Sequence, residues 1–337
     1  MTARTFGKMP DGSPVYAVTI GAGDLKTEII TYGASIRDLR LAGADHPLVL
    51  GFPDFDNYLV DRGFFGAVAG RCANRIGGGR FTLDGRDIQL TRNENGATHL
   101  HGGTVGFAYR NWTLEGHDDE AVALSIVAED GEEGYPGRAE VNLVYRVEAP
   151  GTIRMSVTAT TDAPTLVNIA QHSYFNLDGG GTILDHKLTF AANSYLPVDA
   201  LLVPTGEIAP VAGTAFDFRQ ARPIRFEEGG RLAAYDHNFC VARERATAPR
   251  FAARLEGGRS GVAMEIETTE PGIQFYDGAR TTTKSTGLGG APYGAHSGLC
   301  LEPQVWPDSP NHKDFPSAVL RPGETYRQET LFRFKKA

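Results

Sequence analysis

Two side chains in this sequence are suited to moving a proton near neutral pH. His172 lies in "AQHSYFNLDG" (170–179), and Glu302 follows the apolar run "GLCL" in "GLCLEPQ". Imidazole titrates close to pH 7, and a carboxylate at the end of a buried strand needs a partner or a shifted pKa. Taken alone, His172 reads as a core histidine in an aromatic cluster. Beside a neutral polyol, however, a histidine and a carboxylate make an acid–base pair. The remaining polar clusters carry amide, imidazole, guanidinium and carboxylate groups that hydrogen-bond directionally to hydroxyls. They are "GRCANRI" (70–76) with Asn74 and Arg75, "THLHGG" (98–103) with His101, "DHN" (236–238) with Asp236, and "PGIQFYDG" (271–278) with Gln274. Tyr174, Phe175 and Trp306 are aromatic candidates for covering the apolar face of a pyranose.

Each cluster also has a plainer reading. Asn74 with Arg75, and Asp236 with its two successors, have the composition of hydrogen-bonded turns. His99 and His101, two apart on a strand, would point to the same face and offer a metal two ligands. A zinc site wants three or four, and no third stands in register. The sequence holds neither GxxxxGK[ST] nor a GxGxxG between strand and helix, and no GxSxG elbow.

The elements that must position these residues are strands. In "AEVNLVYRV" (139–147) the odd residues are apolar, and "TIRMSVTAT" (152–160) alternates likewise, with "EAPG" between them as a turn. "FTLDGRDIQL" (81–90) carries the Asp84-Gly85 hairpin signal. "GVAMEIET" (261–268) and "TYRQETLFRF" (325–334) alternate too, and 23–42 reads as two strands around Gly33. Helix is expected only as a turn or two in 53–63 and another in 230–236. Many strands and very little helix predict an all-β fold, a large β-sandwich or barrel spanning 1–337 as a single domain.

Composition narrows the partners. A formal charge of −8 argues against nucleic acid, whose phosphates call for clustered Lys and Arg. No segment approaches the roughly 18 apolar residues of a membrane span, and the N-terminus lacks the apolar stretch of a secretory signal. Cys72, Cys240 and Cys300 are odd in number and lack CxxC spacing, so they read as reduced thiols of a cytoplasmic protein.

In their order, "GRCANRI", "LHGG", "QHSYFNLDG", "DHNF", "PGIQFYDG" and "LEPQ" followed by "WPDSPNH" resemble the aldose 1-epimerase (mutarotase) family, from about Gly12 to Phe334. The resemblance implies a large antiparallel β-sandwich that requires no metal and no organic cofactor and acts on a small-molecule aldose such as D-glucose or D-galactose; monomer and homodimer are both open. It implies His172 as general acid on the ring oxygen and Glu302 as general base on the C1 hydroxyl. Asn74, Arg75, His101, Ser173, Tyr174, Asp236 and Gln274 fall at its substrate-binding positions. Gln171 stands where the family often has Asn, and His99 matches no part of the pattern. Three rivals are open: a hexose-phosphate epimerase, with Arg71 and Arg75 near a phosphate; a glycoside hydrolase using Asp236 and Glu302; and a lectin-like sugar-binding β-sandwich without turnover.

Overall fold

The computed structural model of the chain describes residues 3–336. Alternation decides its architecture. Ala139, Val141, Leu143, Tyr145 and Val147 are all fully buried, while their neighbours are half-buried or exposed. Strand Ala139–Glu148 pairs with Thr152–Thr161 in unbroken antiparallel register, from Ala139 opposite Thr161 to Glu148 opposite Thr152. Removing each large apolar side chain from water contributes about 1.5–3 kcal/mol, so a register slip of one residue would forfeit the whole face. These two strands sit inside a nine-stranded antiparallel sheet, flanked by Ala121–Ala128 on one side and Tyr326–Lys336 on the other.

A six-stranded sheet packs against that apolar face. Its order is Tyr174–Phe175, Leu299–Gln304, Gly272–Tyr276, Asp236–Cys240, Ser194–Tyr195 and Ala209–Pro210. One of its faces supplies Phe175, Leu299, Leu301, Ile273, Phe275 and Phe239 to the core shared with the nine-stranded sheet. Period two then obliges Tyr174, Cys300, Glu302, Gln274, Tyr276 and Asp236 to the opposite face. A four-stranded sheet, Arg4–Lys8, Pro14–Ala22, Leu25–Ile30 and Ser35–Leu41, adds Val18, Ile20, Leu25 and Ile36 to the same core. The architecture is the expected antiparallel β-sandwich.

The local expectations divide. Asp84 (φ 49°) and Gly85 (φ 77°) close the hairpin between Arg80–Leu83 and Arg86–Gln89, as a two-residue turn of left-handed residues should. The helix expected in 53–63 is present as Phe55–Val60. The turn of helix expected in 230–236 is not. Gly229 and Gly230 both take positive φ (59° and 76°), which turns the chain back so that Arg231–Leu232 pairs with Glu227–Glu228. Among the described residues no helix is long and apolar enough to cross a membrane.

Two short pairings roof the outer face of the six-stranded sheet. Strand Ala170–His172 pairs with Ala67–Ala69, with His172 opposite Ala67. Arg75–Ile76 pairs with His99–Leu100, which lays the "LHGG" segment beside "GRCANRI". Their closeness demands glycine at position 102. It has φ +88°, and a Cβ there would stand 1.7 Å from the Gly70 carbonyl oxygen.

Candidate active site

Between the roof and the sheet is a cavity of about 220 Å³. Of the residues expected from sequence, Asn74, Arg75, His101, His172, Tyr174, Asp236 and Glu302 line it. The polar groups converge on a space suited to one small ligand.

Glu302 and His172 face each other, with Oε1 3.8 Å from Nε2. Both are almost wholly buried, and no described residue hydrogen-bonds Glu302 Oε2. Burial favours the neutral form of each group. It lowers the His172 pKa to about 4. It raises the Glu302 carboxyl well above the usual carboxylate range; the nearby Asp236 charge adds to that rise, and Arg75 opposes it. Burial thus favours a proton on Glu302 over one on His172.

His101 is held by its neighbour across the roof. The Asn74 backbone N–H donates to His101 Nδ1 at 3.1 Å. Burial holds the ring's pKa well below 6.5, with the His172 and Arg75 charges adding to the effect. A neutral ring with Nδ1 accepting must carry its proton on Nε2. His101, His172 and Glu302 place ligand atoms within 4.8 Å of one another.

Arg75 is clamped before any substrate arrives. Its Nε and Nη2 donate to the two Glu94 carboxylate oxygens, each at 2.8 Å, and Nη1 lies 3.6 Å from Asp236 Oδ2. Burial works against the guanidinium charge, but Glu94 and Asp236 outweigh it and raise the pKa above its ordinary value. Asp236 is fixed in turn, because Gln274 Nε2 donates to its Oδ1 at 2.7 Å and Arg280 Nη2 lies 3.5 Å from Oδ2.

Several expected positions lie elsewhere. Ser173 is fully buried with its Oγ accepting from Gln171 Nε2 at 2.7 Å; standing between His172 and Tyr174, it points away from the cavity. Gln274, by contrast, stands opposite Glu302 on the site-facing side of the sheet, with its Nε2 donating to Asp236 Oδ1. Trp306 is buried against Phe315, its Nε1 donating to the Pro271 carbonyl, and Phe175 belongs to the central core; neither reaches the sugar face. Arg71 is also buried, its two terminal nitrogens donating to the carbonyls of Pro136, Gly137, Ala128 and Glu129 and to Thr165 Oγ1, so it cannot cradle a phosphate. The His99–His101 metal pair fails for a backbone reason. The strand ends at Leu100 and His101 turns to φ +50°, which breaks the shared face. Both His99 nitrogens are engaged, Nδ1 by the Thr91 carbonyl at 2.6 Å and Nε2 by the Tyr135 hydroxyl at 2.7 Å.

The sequence reading missed Phe64, Glu94, Tyr276 and Arg280. Phe64, at φ +61°, lays its ring 4.7 Å from His101 and 5.4 Å from His172. Glu94 and Arg280 come from loops with no periodicity to flag them. Tyr276 had a signal, since it lies two residues from Gln274 on the same strand.

The model of the aldose 1-epimerase family matches residues 16–333. Mouse galactose mutarotase is 42% identical, the match covering 100% of this chain and 99% of that protein. The Escherichia coli aldose 1-epimerase is 35% identical over 99% of both chains. Among solved structures, a GalM/aldose epimerase homologue from C. elegans superposes with a TM-score of 0.88 at 30% identity, covering 95% of this chain and 99% of that one. Galactose 1-epimerase from Lactobacillus acidophilus, at 24% identity and a TM-score of 0.84, shares the fold. The chain belongs to the aldose 1-epimerase family of isomerases.

Proposed function

We propose that this protein interconverts the α and β anomers of free aldoses such as D-glucose and D-galactose by opening and reclosing the ring. The observation that carries this reading is the buried His172–Glu302 pair, 3.8 Å apart, facing a cavity of about 220 Å³ walled by hydrogen-bonding groups. Glu302 removes the proton from the C1 hydroxyl while His172 Nε2 protonates the ring oxygen. The C1–O5 bond breaks, C1 becomes an aldehyde, and rotation about C1–C2 exposes its other face. Closure reverses the roles: Glu302 returns its proton to the C1 oxygen and His172 takes one from the C5 hydroxyl.

The two halves need the shared proton in different places. Opening starts with it on His172, and closing starts with it on Glu302, the arrangement that burial favours. The positive charge of Arg75 offsets part of the cost of ionising Glu302. His101, neutral with its proton on Nε2, and Arg75 offer donors to oxygens where negative charge develops. Asn74 and Asp236 hold hydroxyls, with Gln274 steadying Asp236, and Tyr174 covers carbon. The chain works as one domain, as a monomer or homodimer, with its three buried thiols reduced in a cytoplasmic setting.

Polarimetry tests the activity. Freshly dissolved α-D-glucose, α-D-galactose, xylose and arabinose are followed with and without protein, and methyl glycosides serve as controls. Acceleration of free aldoses, unaffected by EDTA and without release of sugar from glycosides, is expected. No acceleration on any aldose refutes the reading. Release from glycosides would favour a hydrolase, and loss with EDTA reversed by zinc would point to a metal held by His101, His172 and Glu302.

A further inference from the structure

One strand holds both ends of the His172 ring. Cys300 and Glu302 stand two apart on Leu299–Gln304 and share a face. Cys300 Sγ lies 3.4 Å from His172 Nδ1, while Glu302 Oε1 lies 3.8 Å from Nε2. The ring's plane is fixed from other sides. Phe64 lies tilted at 5.4 Å and 31°, Tyr174 at 5.1 Å and 46°, and His101 meets it edge-on at 5.1 Å and 76°. Cys300 is fully buried, and Tyr174 is its cross-strand neighbour.

For Nε2 to give and regain a proton, Nδ1 must keep its own throughout. A ring protonated on Nε2 alone could act as an acid only by becoming an imidazolate. The neutral ring must therefore be the Nδ1–H form, and Nδ1–H needs an acceptor. The side chain placed there is Cys300, its sulfur 3.4 Å from Nδ1, beside a hydrogen bond that the ring makes to the backbone of His172 itself. Burial, helped by the nearby Glu302 and Asp236 charges, pushes the thiol's pKa well above its ordinary value, so the sulfur stays uncharged. A carboxylate at this position would stabilise the imidazolium and retain the proton. A neutral sulfur accepts weakly and orients the ring without trapping charge.

We propose that Cys300 is a positioning residue whose sulfur accepts the Nδ1–H of His172, keeping Nε2 as the atom that exchanges its proton with the sugar. This rests on the assignment of His172 to proton transfer. Cys300 itself touches no substrate and undergoes no covalent change.

The test is nitrogen-15 NMR of the histidine-labelled full-length protein at pH 7, with His172 assigned by the His172→Asn variant, together with steady-state kinetics. Wild type is expected to carry its proton on Nδ1. Cys300→Ala should populate the Nε2–H form and lower kcat about three- to tenfold, the loss of one modest hydrogen bond, with KM unchanged. Cys300→Ser, which also accepts, should keep the Nδ1–H form and restore most of kcat. An Nε2–H ring in wild type overturns the proposal. So does an alanine variant with the wild-type tautomer and rate, or a serine variant as slow as alanine. If the variants do not fold, the wild-type tautomer alone decides. Absence of mutarotation in wild type would refute the proposed function and leave the tautomer measurement readable.

Discussion

At the scale of single residues, burial is the dominant influence. It makes His172 a weaker base and Glu302 a weaker acid than either is in water, so the pair carries a single proton over a broad range of pH. Two limbs of kcat/KM follow. As pH falls toward about 4, His172 gains a proton while Glu302 keeps its own, and the rate declines. As pH rises through the elevated Glu302 pKa, the pair loses its only proton and the rate declines again. A pH–rate profile should therefore fall toward pH 4, hold a plateau above pH 5, and show its alkaline fall well above the usual carboxylate range. A profile whose acid limb lies above pH 6 would contradict the assignment. The pair itself was legible in the sequence, since a carboxylate ending an apolar strand and a histidine amid aromatics both invite explanation. Cys300 was legible in principle through the same alternation that exposes Glu302. Glu94 was not, because a carboxylate in an exposed-looking "NENG" loop gives no sign that it will clamp Arg75.

At the scale of elements, strand parity works until the backbone leaves the strand. Alternation correctly separates Leu299, Leu301, Ile273 and Phe275 from the site-facing residues between them. It fails at His101, whose left-handed backbone carries it to the cavity while His99 is tied to Tyr135. It would have excluded Ser173 had it been applied between His172 and Tyr174; following the family motif instead assigned Ser173 to a wall it does not reach. The fit of the roof rests on Gly102. Gly102→Ala places a Cβ 1.7 Å from a backbone oxygen at φ +88°, so the two roof segments must separate. The expected result is a loss of about 2 kcal/mol or more in urea unfolding, with a KM increase from the displaced His101. Wild-type stability and KM would show that the roof tolerates separation.

At the scale of the whole molecule, the sandwich was readable from period two and glycine–proline punctuation, whereas strand order was not. The neighbours of Tyr326–Lys336 in the nine-stranded sheet are Thr152–Thr161 and Val262–Thr268, pairings that no local pattern encodes. Closing the interior around histidines also makes stability depend on acid. Burial lowers the pKa of His186 to about 4, although Asp178 at 3.9 Å opposes the shift. The unfolded chain, with an ordinary histidine near 6.5, binds this proton first. The stabilisation is therefore complete above pH 6.5 and is lost as pH falls toward 4. For this one residue the loss from pH 7 to pH 5 is about 2 kcal/mol. His186→Gln should be less stable at pH 7 yet show a smaller drop in urea midpoint between pH 7 and pH 5 than wild type. An equal drop in both would remove His186 as a cause.

The central claim, that His172 and Glu302 together open and close the sugar ring, is tested most directly by polarimetry of fresh α-D-galactose with wild type, His172→Asn and Glu302→Gln, each first shown to be folded by circular dichroism. Each variant is expected to lose about 10²–10⁴ of the protein-dependent rate and to approach the buffer rate. A folded variant of either residue that retains wild-type acceleration would contradict the account.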